Sequence, residues 1–310
     1  MKVLKFGGGC LKDAKSIKKI PNILQKYQQD NLIVVLSAFG KITNMLENKQ
    51  VDEIILFLDF IMDSLGFSEE KKNNILNTPL APSLLNHNLH PMTFLELLES
   101  QEMDYPSYIC AGEYISSRIV HAYLATMSIE NALLDASLCI KTHGWNKKLN
   151  FAPFHSCINI DRKQPIFYDL NRGTINTTHI DLSTSIIITQ GFIASEYVSD
   201  RFNLTSNLVP VKRTTLGREG SDYSAAIFAT MFNAEEVVLF KDVDGIYNID
   251  PKTNTEAKLF SQLSYHEAFE FCNHVDTVVH PKTIEHLQKY KIPLLIRNFY
   301  NINQLGTAIS

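Results

Sequence analysis

Apolar residues fall along this chain in two alternating rhythms. Val3–Phe6 and Leu32–Leu36 (LIVVL) are short apolar runs that read as strands, the second so continuous that both its faces must be covered. Between them, Ile17, Ile20, Ile23, Leu24 and Tyr27 recur three or four apart and predict a helix, capped by Asp13 and kinked at Pro21. The order strand, glycine turn, helix, strand returns near 131–137, 184–192, 236–245 and 292–297. Alternation of this kind predicts an α/β fold with a mostly parallel central sheet sandwiched by helices.

Two stretches break the rhythm. Residues 48–110 carry helical apolar spacing (Ile54, Ile55, Phe57, Leu58, Ile61) and proline-marked turns, and predict a helical excursion from the sheet. Residues 140–180 are polar and loop-rich, which predicts a short hairpin or a flap. No low-complexity linker, charge block or long repeat divides the chain, and the best boundary between two lobes falls near residue 205.

Composition narrows the field. The chain has 310 residues, 45% of them hydrophobic, and a net charge of -4, without the basic stripe of a nucleic-acid binder. Its five cysteines, Cys10, Cys110, Cys139, Cys157 and Cys272, are widely spaced, with no CxxC pair to suggest zinc or a disulfide framework. The start, MKVLKFGGGC, has too short an apolar run for a signal peptide, and no segment approaches the ~20 apolar residues of a spanning helix. A reduced, cytoplasmic protein without membrane or nucleic-acid partners is expected.

The candidate chemistry sits where strands run into turns. Lys5-Phe-Gly7-Gly8 places an ammonium and bare backbone N–H groups behind the first strand, the means by which phosphoryl transfer is stabilised; a plain βα turn is the alternative. Ser37-Ala-Phe-Gly-Lys-Ile-Thr43-Asn44 follows the second strand and can hold a carboxylate or phosphate, or Thr43 and Asn44 can simply cap a helix. Glu113 lies in the first turn of an amphipathic helix, where the dipole favours an anion and where it can also neutralise a substrate ammonium. In Leu216-Gly-Arg218-Glu-Gly-Ser221-Asp222 a guanidinium able to grip a carboxylate precedes an aspartate at the mouth of an apolar helix, able to face an ammonium. A surface salt bridge between the two is the alternative. Asp242-Val-Asp-Gly-Ile-Tyr247 and Asp250-Pro-Lys252 suit a nucleoside and its phosphates, or form an ordinary loop. His280, beside Pro281, reads as a helix-start residue.

Taken together, KFGG, SAFGKITN, GEYISSR, TTLGREGSDYSAA, KDVDGIYNIDPK, VVHPKT and NQLGTAIS resemble the aspartokinases of the amino acid kinase family, in order and approximate spacing. The resemblance runs the whole chain and implies a single 1–310 domain, a three-layer α/β/α sandwich. The part to about 205 would take the amino acid and 206–310 the nucleotide. It implies MgATP-dependent phosphorylation of the β-carboxylate of L-aspartate, the opening step toward lysine, threonine and methionine. Mg2+ would be held mainly through nucleotide phosphates, and a homodimer is compatible. By motif match, Lys5 and Asp222 would be catalytic, with the amides of Gly7 and Gly8 on the phosphates. Ser37, Thr43, Glu113, Arg218, Ser221 and Asp222 would hold aspartate, Arg218 on its α-carboxylate. Lys241, Asp242, Tyr247, Lys252 and the Thr277 position would line the nucleotide.

The chain departs from the family pattern in four places. Thr-Ser after KFGG is Gly9-Cys10, a glycine is Glu219, a nucleotide-side lysine is Thr277, and an arginine is Lys252. One charged phosphate contact contributes about 1.5–3 kcal/mol, so weaker ATP binding is expected, offset in part by Lys241 or Lys282. The regulatory ACT domains usual in the family are missing from this sequence, which implies an enzyme without that feedback. The rival expectations are a related kinase for another acidic amino acid, and a weakly active paralogue that binds nucleotide or amino acid.

Overall fold

The computed structural model describes residues 1–80, 92–100, 103–143, 185–196, 213–217, 220–272 and 278–310, with the backbone of three short strands between 154 and 176. Its strands are β1 (Lys2–Phe6), β2 (Leu32–Leu36), β3 (Ala132–Leu134), β4 (Ile140–Thr142), β5 (Phe154–Cys157), β6 (Phe167–Asp169), β7 (Thr174–Asn176), β8 (Ile186–Gln190), β9 (Ile193–Glu196), β10 (Arg213–Thr215), β11 (Glu236–Lys241), β12 (Gln262–Leu263), β13 (Leu294–Asn298) and β14 (Thr307–Ile309). The helices are α1 (Ala14–Ile17), α2 (Ile20–Gln25), α3 (Ile42–Glu47), α4 (Val51–Ser64), α5 (Glu69–Asn77), α6 (Phe94–Glu99), α7 (Tyr105–Ile109), α8 (Ala111–Thr126), α9 (Ala136–Cys139), α10 (Gly220–Met231), α11 (Tyr265–Cys272) and α12 (Pro281–Tyr290).

One large sheet runs β12-β14-β13-β11-β1-β2-β8-β3, and only the β13–β14 pair is antiparallel. All five residues of β2 are buried, so its alternating side chains are covered on both faces, as the LIVVL run predicts. Helix α10 packs over β1, β2 and β11, while α8 packs on β8, β3 and β2. The first strand thus lies mid-sheet, between strands from the early part of the chain on one side and the late part on the other. Its register sets Lys5 opposite Val35 of β2 and Leu239 of β11.

The expected helical excursion is α4 to α7. In the 140–180 stretch, β4 pairs with β5, and β6 and β7 form a hairpin. Asp13 caps α1 through the Ser16 N–H at 2.7 Å, and the Nδ1 of His280 accepts from the Lys282 N–H at the start of α12. Pro21 departs from expectation. Instead of kinking one helix it stands in the first turn of α2, after a break from α1, where a missing N–H costs no intrahelical bond. Among the described residues, no helix is long and apolar enough to cross a membrane.

Candidate active site

The carboxyl edge of the sheet gathers the turns after β1, β2 and β11 near the mouth of α10, the usual crevice of an open α/β sheet. Asp222, in the first turn of α10, is fully buried, and its two oxygens are taken by two lysines. Lys5 Nζ donates to Oδ1 and Lys241 Nζ donates to Oδ2, each at 2.6 Å. Burial alone would push this carboxyl up, but Lys241 and Lys5 outweigh it and hold it at about 2. Burial lowers the Lys5 ammonium, and nearby Lys241 adds to that while Asp222 opposes it. With both lysines charged, the cluster carries one net positive charge in a buried place. The sequence suggests an Asp222 that faces a substrate ammonium; the protein's own ammonium groups fill that role instead, because a carboxylate this buried needs its countercharge built in.

Around this bridge the backbone is tight. A Cβ on Gly7 would lie 3.2 Å from Lys5 Nζ, and one on Gly8 the same distance from the Ala38 carbonyl oxygen, so the glycine turn lies against both the lysine and the loop after β2. Cys10 Sγ donates to the Phe240 carbonyl at 3.3 Å, and burial pushes its thiol up to about 12, leaving it neutral. Gly191 comes so close to Ser221 that a Cβ would sit 2.5 Å from its Oγ; only glycine lets the β8–β9 turn press there.

On the other side of the Ala38 loop stands Glu113, third residue of α8 and 4% exposed. Its Oε2 has no hydrogen-bond partner. Burial raises its carboxyl to about 8, against the opposing pull of the Glu113 and Ala38 N–H groups. The loop and helix are tied where the Phe39 N–H donates to Ser116 Oγ at 2.9 Å. Ser37 is half-buried on this loop, and Thr43 is half-buried in the first turn of α3. Lys41 is the N-cap of α3 and makes no side-chain cap bond, so Thr43 and Asn44 are not its caps.

The nucleotide-side candidates follow β11. Asp242 is exposed, and Gly9 points its missing Cβ at Asp242 Oδ2, 3.4 Å away. Tyr247 donates its hydroxyl to Asp244 Oδ2 at 3.0 Å, and Asn298 Nδ2 donates to Asp244 Oδ1 at 2.6 Å. Lys252 is exposed on a turn where its N–H donates to Asp250 Oδ1, and no contact draws it to the lysine pair. Arg218, Glu219 and Thr277 lie outside the described residues. Sequence reading missed Asp244 as the partner of Tyr247 and Asn298 as the second donor to Asp244, a contact between the loop after β11 and the end of β13. Among the described residues, no group of three or more carboxylates, imidazoles or thiols is placed to hold a metal ion.

The profile of the amino acid kinase family matches residues 1–298. The chain belongs to the amino acid kinase family. It is 30% identical to a bifunctional aspartokinase/homoserine dehydrogenase of Buchnera aphidicola, an alignment covering 100% of this chain and 36% of that protein. An aspartokinase of Chlamydia pneumoniae is 27% identical across 99% of this chain and 62% of its own length. Among solved structures, E. coli aspartokinase III in complex with aspartate and ADP superimposes with a TM-score of 0.74 at 23% identity, covering 100% of this chain and 64% of that one. That likeness establishes the amino acid kinase fold: a mostly parallel sheet flanked by helices. The chain spans about a third of the length of the bifunctional relatives and under two thirds of these aspartokinases.

Proposed function

We propose that this member of the family transfers the γ-phosphoryl group of MgATP to the β-carboxylate of L-aspartate, giving 4-phospho-L-aspartate and ADP. The observation that carries the reading is the pair of ammonium groups held on one buried aspartate beside a three-glycine turn. Phosphoryl transfer leaves charge spread over the migrating group's oxygens, and catalysis is mostly positioning and cationic stabilisation. Lys5 and Lys241 supply two positive charges, and Asp222 fixes their spacing without cancelling both. The Gly7 and Gly8 amides add donors at close range. Mg2+, carried on the nucleotide phosphates, would neutralise further charge there. The names of the relatives support the choice of aspartate.

An oxygen of the substrate β-carboxylate attacks phosphorus, the bond to the β-phosphate oxygen breaks, and ADP leaves. A carboxylate is already ionised at neutral pH, so no general base is required. Burial raises the Glu113 carboxyl to about 8, which favours its protonated form in the free protein at neutral pH. An arriving α-ammonium supplies the missing countercharge and lowers the Glu113 pKa, and the carboxyl proton is released to solvent. Ser37, Thr43, Ser221 and Arg218 complete the amino acid side, with Arg218 on the α-carboxylate. Tyr247 and Asp242 face the nucleotide, with Lys252 at the rim. Lys241 also fills the electrostatic place of the lysine that Thr277 replaces. We assign the lobe to about 205 to the amino acid and the remainder to the nucleotide. The free thiols of Cys10, Cys110, Cys139 and Cys272 support a reducing, cytoplasmic setting.

Trapping of the acyl phosphate as a hydroxamate, from aspartate, ATP and hydroxylamine, tests the reading. Lys5→Ala should lower the rate by about a thousandfold, as loss of a positioned electrostatic donor does. Wild-type protein that forms no hydroxamate refutes it.

A further inference from the structure

The connection from β13 to β14 belongs to none of the clusters that define the site, yet it touches both turns on the nucleotide side. At its root, Asn298 Nδ2 donates to Asp244 Oδ1, the carboxylate that also accepts the Tyr247 hydroxyl. The Tyr300 N–H donates to Asn298 Oδ1 at 2.7 Å. The Tyr300 hydroxyl crosses to the glycine turn and donates to the Gly9 carbonyl at 2.9 Å, a partner 291 positions away in sequence. Between them, the Phe299 N–H donates to the Lys241 carbonyl at 2.8 Å, and its ring stands edge-on to Phe6. The ammonium groups of Lys19 and Lys12 lie 4.7 and 5.1 Å from the centre of the Tyr300 ring and hold it from the outside.

The bond to Gly9 supplies what three consecutive glycines cannot. Glycine loses more backbone freedom on ordering than any other residue, so this turn needs outside restraint to keep one shape. Inside it, the Cys10 N–H donates to the Gly7 carbonyl at 2.9 Å and the Leu11 N–H to the Gly8 carbonyl at 3.0 Å. The third carbonyl, that of Gly9, is taken by Tyr300. With all three carbonyls engaged, the peptide planes that follow Gly7, Gly8 and Gly9 are fixed, and with them the direction of the Gly8 N–H that the nucleotide reading puts on the phosphates.

We propose that Tyr300 is a positioning residue for the phosphate-binding turn. Its hydroxyl, acting through Gly9, holds the glycine amides in the arrangement that receives the nucleotide phosphates, and Asn298 couples that arrangement to the Asp244–Tyr247 turn. The proposal rests on the nucleotide reading above. Tyr300 itself touches no phosphate.

The test is calorimetric binding of ADP, with ATP kinetics and amide exchange, on wild type and Tyr300→Phe. Loss of one neutral hydrogen bond should raise the ADP Kd and the ATP KM by about three- to tenfold. It should leave the aspartate KM unchanged and speed exchange at the amides of residues 8–11. Adding Gly9→Ala should recover part of the affinity. Its Cβ would meet Asp242 at an ordinary 3.4 Å, Gly9 is not among the positive-φ glycines, and alanine has fewer conformations to lose. A lower Tm with unchanged Kd and unchanged exchange at 8–11 would reduce Tyr300 to a packing residue and overturn the proposal. Wild-type protein that binds no ADP would overturn the nucleotide reading and this inference with it.

Discussion

Two carboxyl groups in the interior of this protein receive opposite treatment. Asp222 and Glu113 are both buried, and both lie in the first turn of a helix. Asp222 is held at about 2, while Glu113 is driven to about 8. Helix dipoles act on both alike, so they do not explain the contrast. The difference lies in the countercharge: Asp222 has two lysines of the protein on it, and among the described residues Glu113 has none. A buried carboxyl with built-in cations is a fixed part of the machinery. On the proposed reading, one without them is a receptor for the substrate's ammonium.

The strongest way to break this comparison is Asp222→Asn. It leaves the buried Lys5 and the part-buried Lys241 ammonium groups on an amide in place of their anion, so hydroxamate formation should fall by about a thousandfold or more. Breaking a buried ion pair also costs about 3–5 kcal/mol of stability, measurable by urea unfolding. The pH dependence has a definite sign. Because the folded-state value is depressed from 3.8 to about 2, the stabilisation is complete above 3.8 and is lost as pH falls toward 2. Wild type should therefore lose more stability than the variant across that acid window.

Lys241→Met comes next. It keeps Asp222 paired with Lys5 and removes one of the two charges proposed to meet the phosphoryl group, so kcat/KM for ATP should drop by about ten- to a hundredfold in initial-rate assays. A smaller drop would mean that Lys5 suffices.

Glu113→Gln sharpens the other half. The aspartate KM should rise by about tenfold or more, through loss of a charged hydrogen bond to the ammonium, with the ATP KM unchanged. Here the sign of the pH effect reverses. The folded-state value lies above the ordinary 4.5, so the Glu113 contribution to stability is fully present below 4.5 and is lost as pH rises toward 8. The glutamine variant should lack that decline in thermal melts between those limits. The mildest change is Thr277→Lys, which should lower the ATP KM by a few-fold, about what a partly redundant cation contributes.

The sheet was legible in the sequence because its signals are local. A continuous run such as Leu32–Leu36 can be satisfied only inside a covered sheet, and Asp13 and His280 announce helix starts by their own chemistry. The partners of Asp222 were not legible. Lys5 is 217 positions away and Lys241 is 19 away, and only the central placing of β1 beside β11 brings both onto one carboxylate. Arg218, four residues from Asp222, is the nearer partner by sequence, so local reading paired Asp222 with that arginine or with a ligand. Tyr300 was hidden for a similar reason: its contact with Gly9 joins the two ends of the chain, and nothing in the NFYNINQ run marks it. The kink expected at Pro21 came from a local rule applied at the wrong register, since the same proline fits the first turn of a new helix.

The central claim is that two lysines gathered on Asp222 carry a phosphoryl group to a substrate carboxylate. Phosphorus NMR of the protein with MgATP and aspartate tests it most directly. An acyl-phosphate resonance should grow with ADP in the wild type and be absent at equal time with Asp222→Asn. ADP appearing without an acyl phosphate, or a variant as productive as the wild type, would contradict the account.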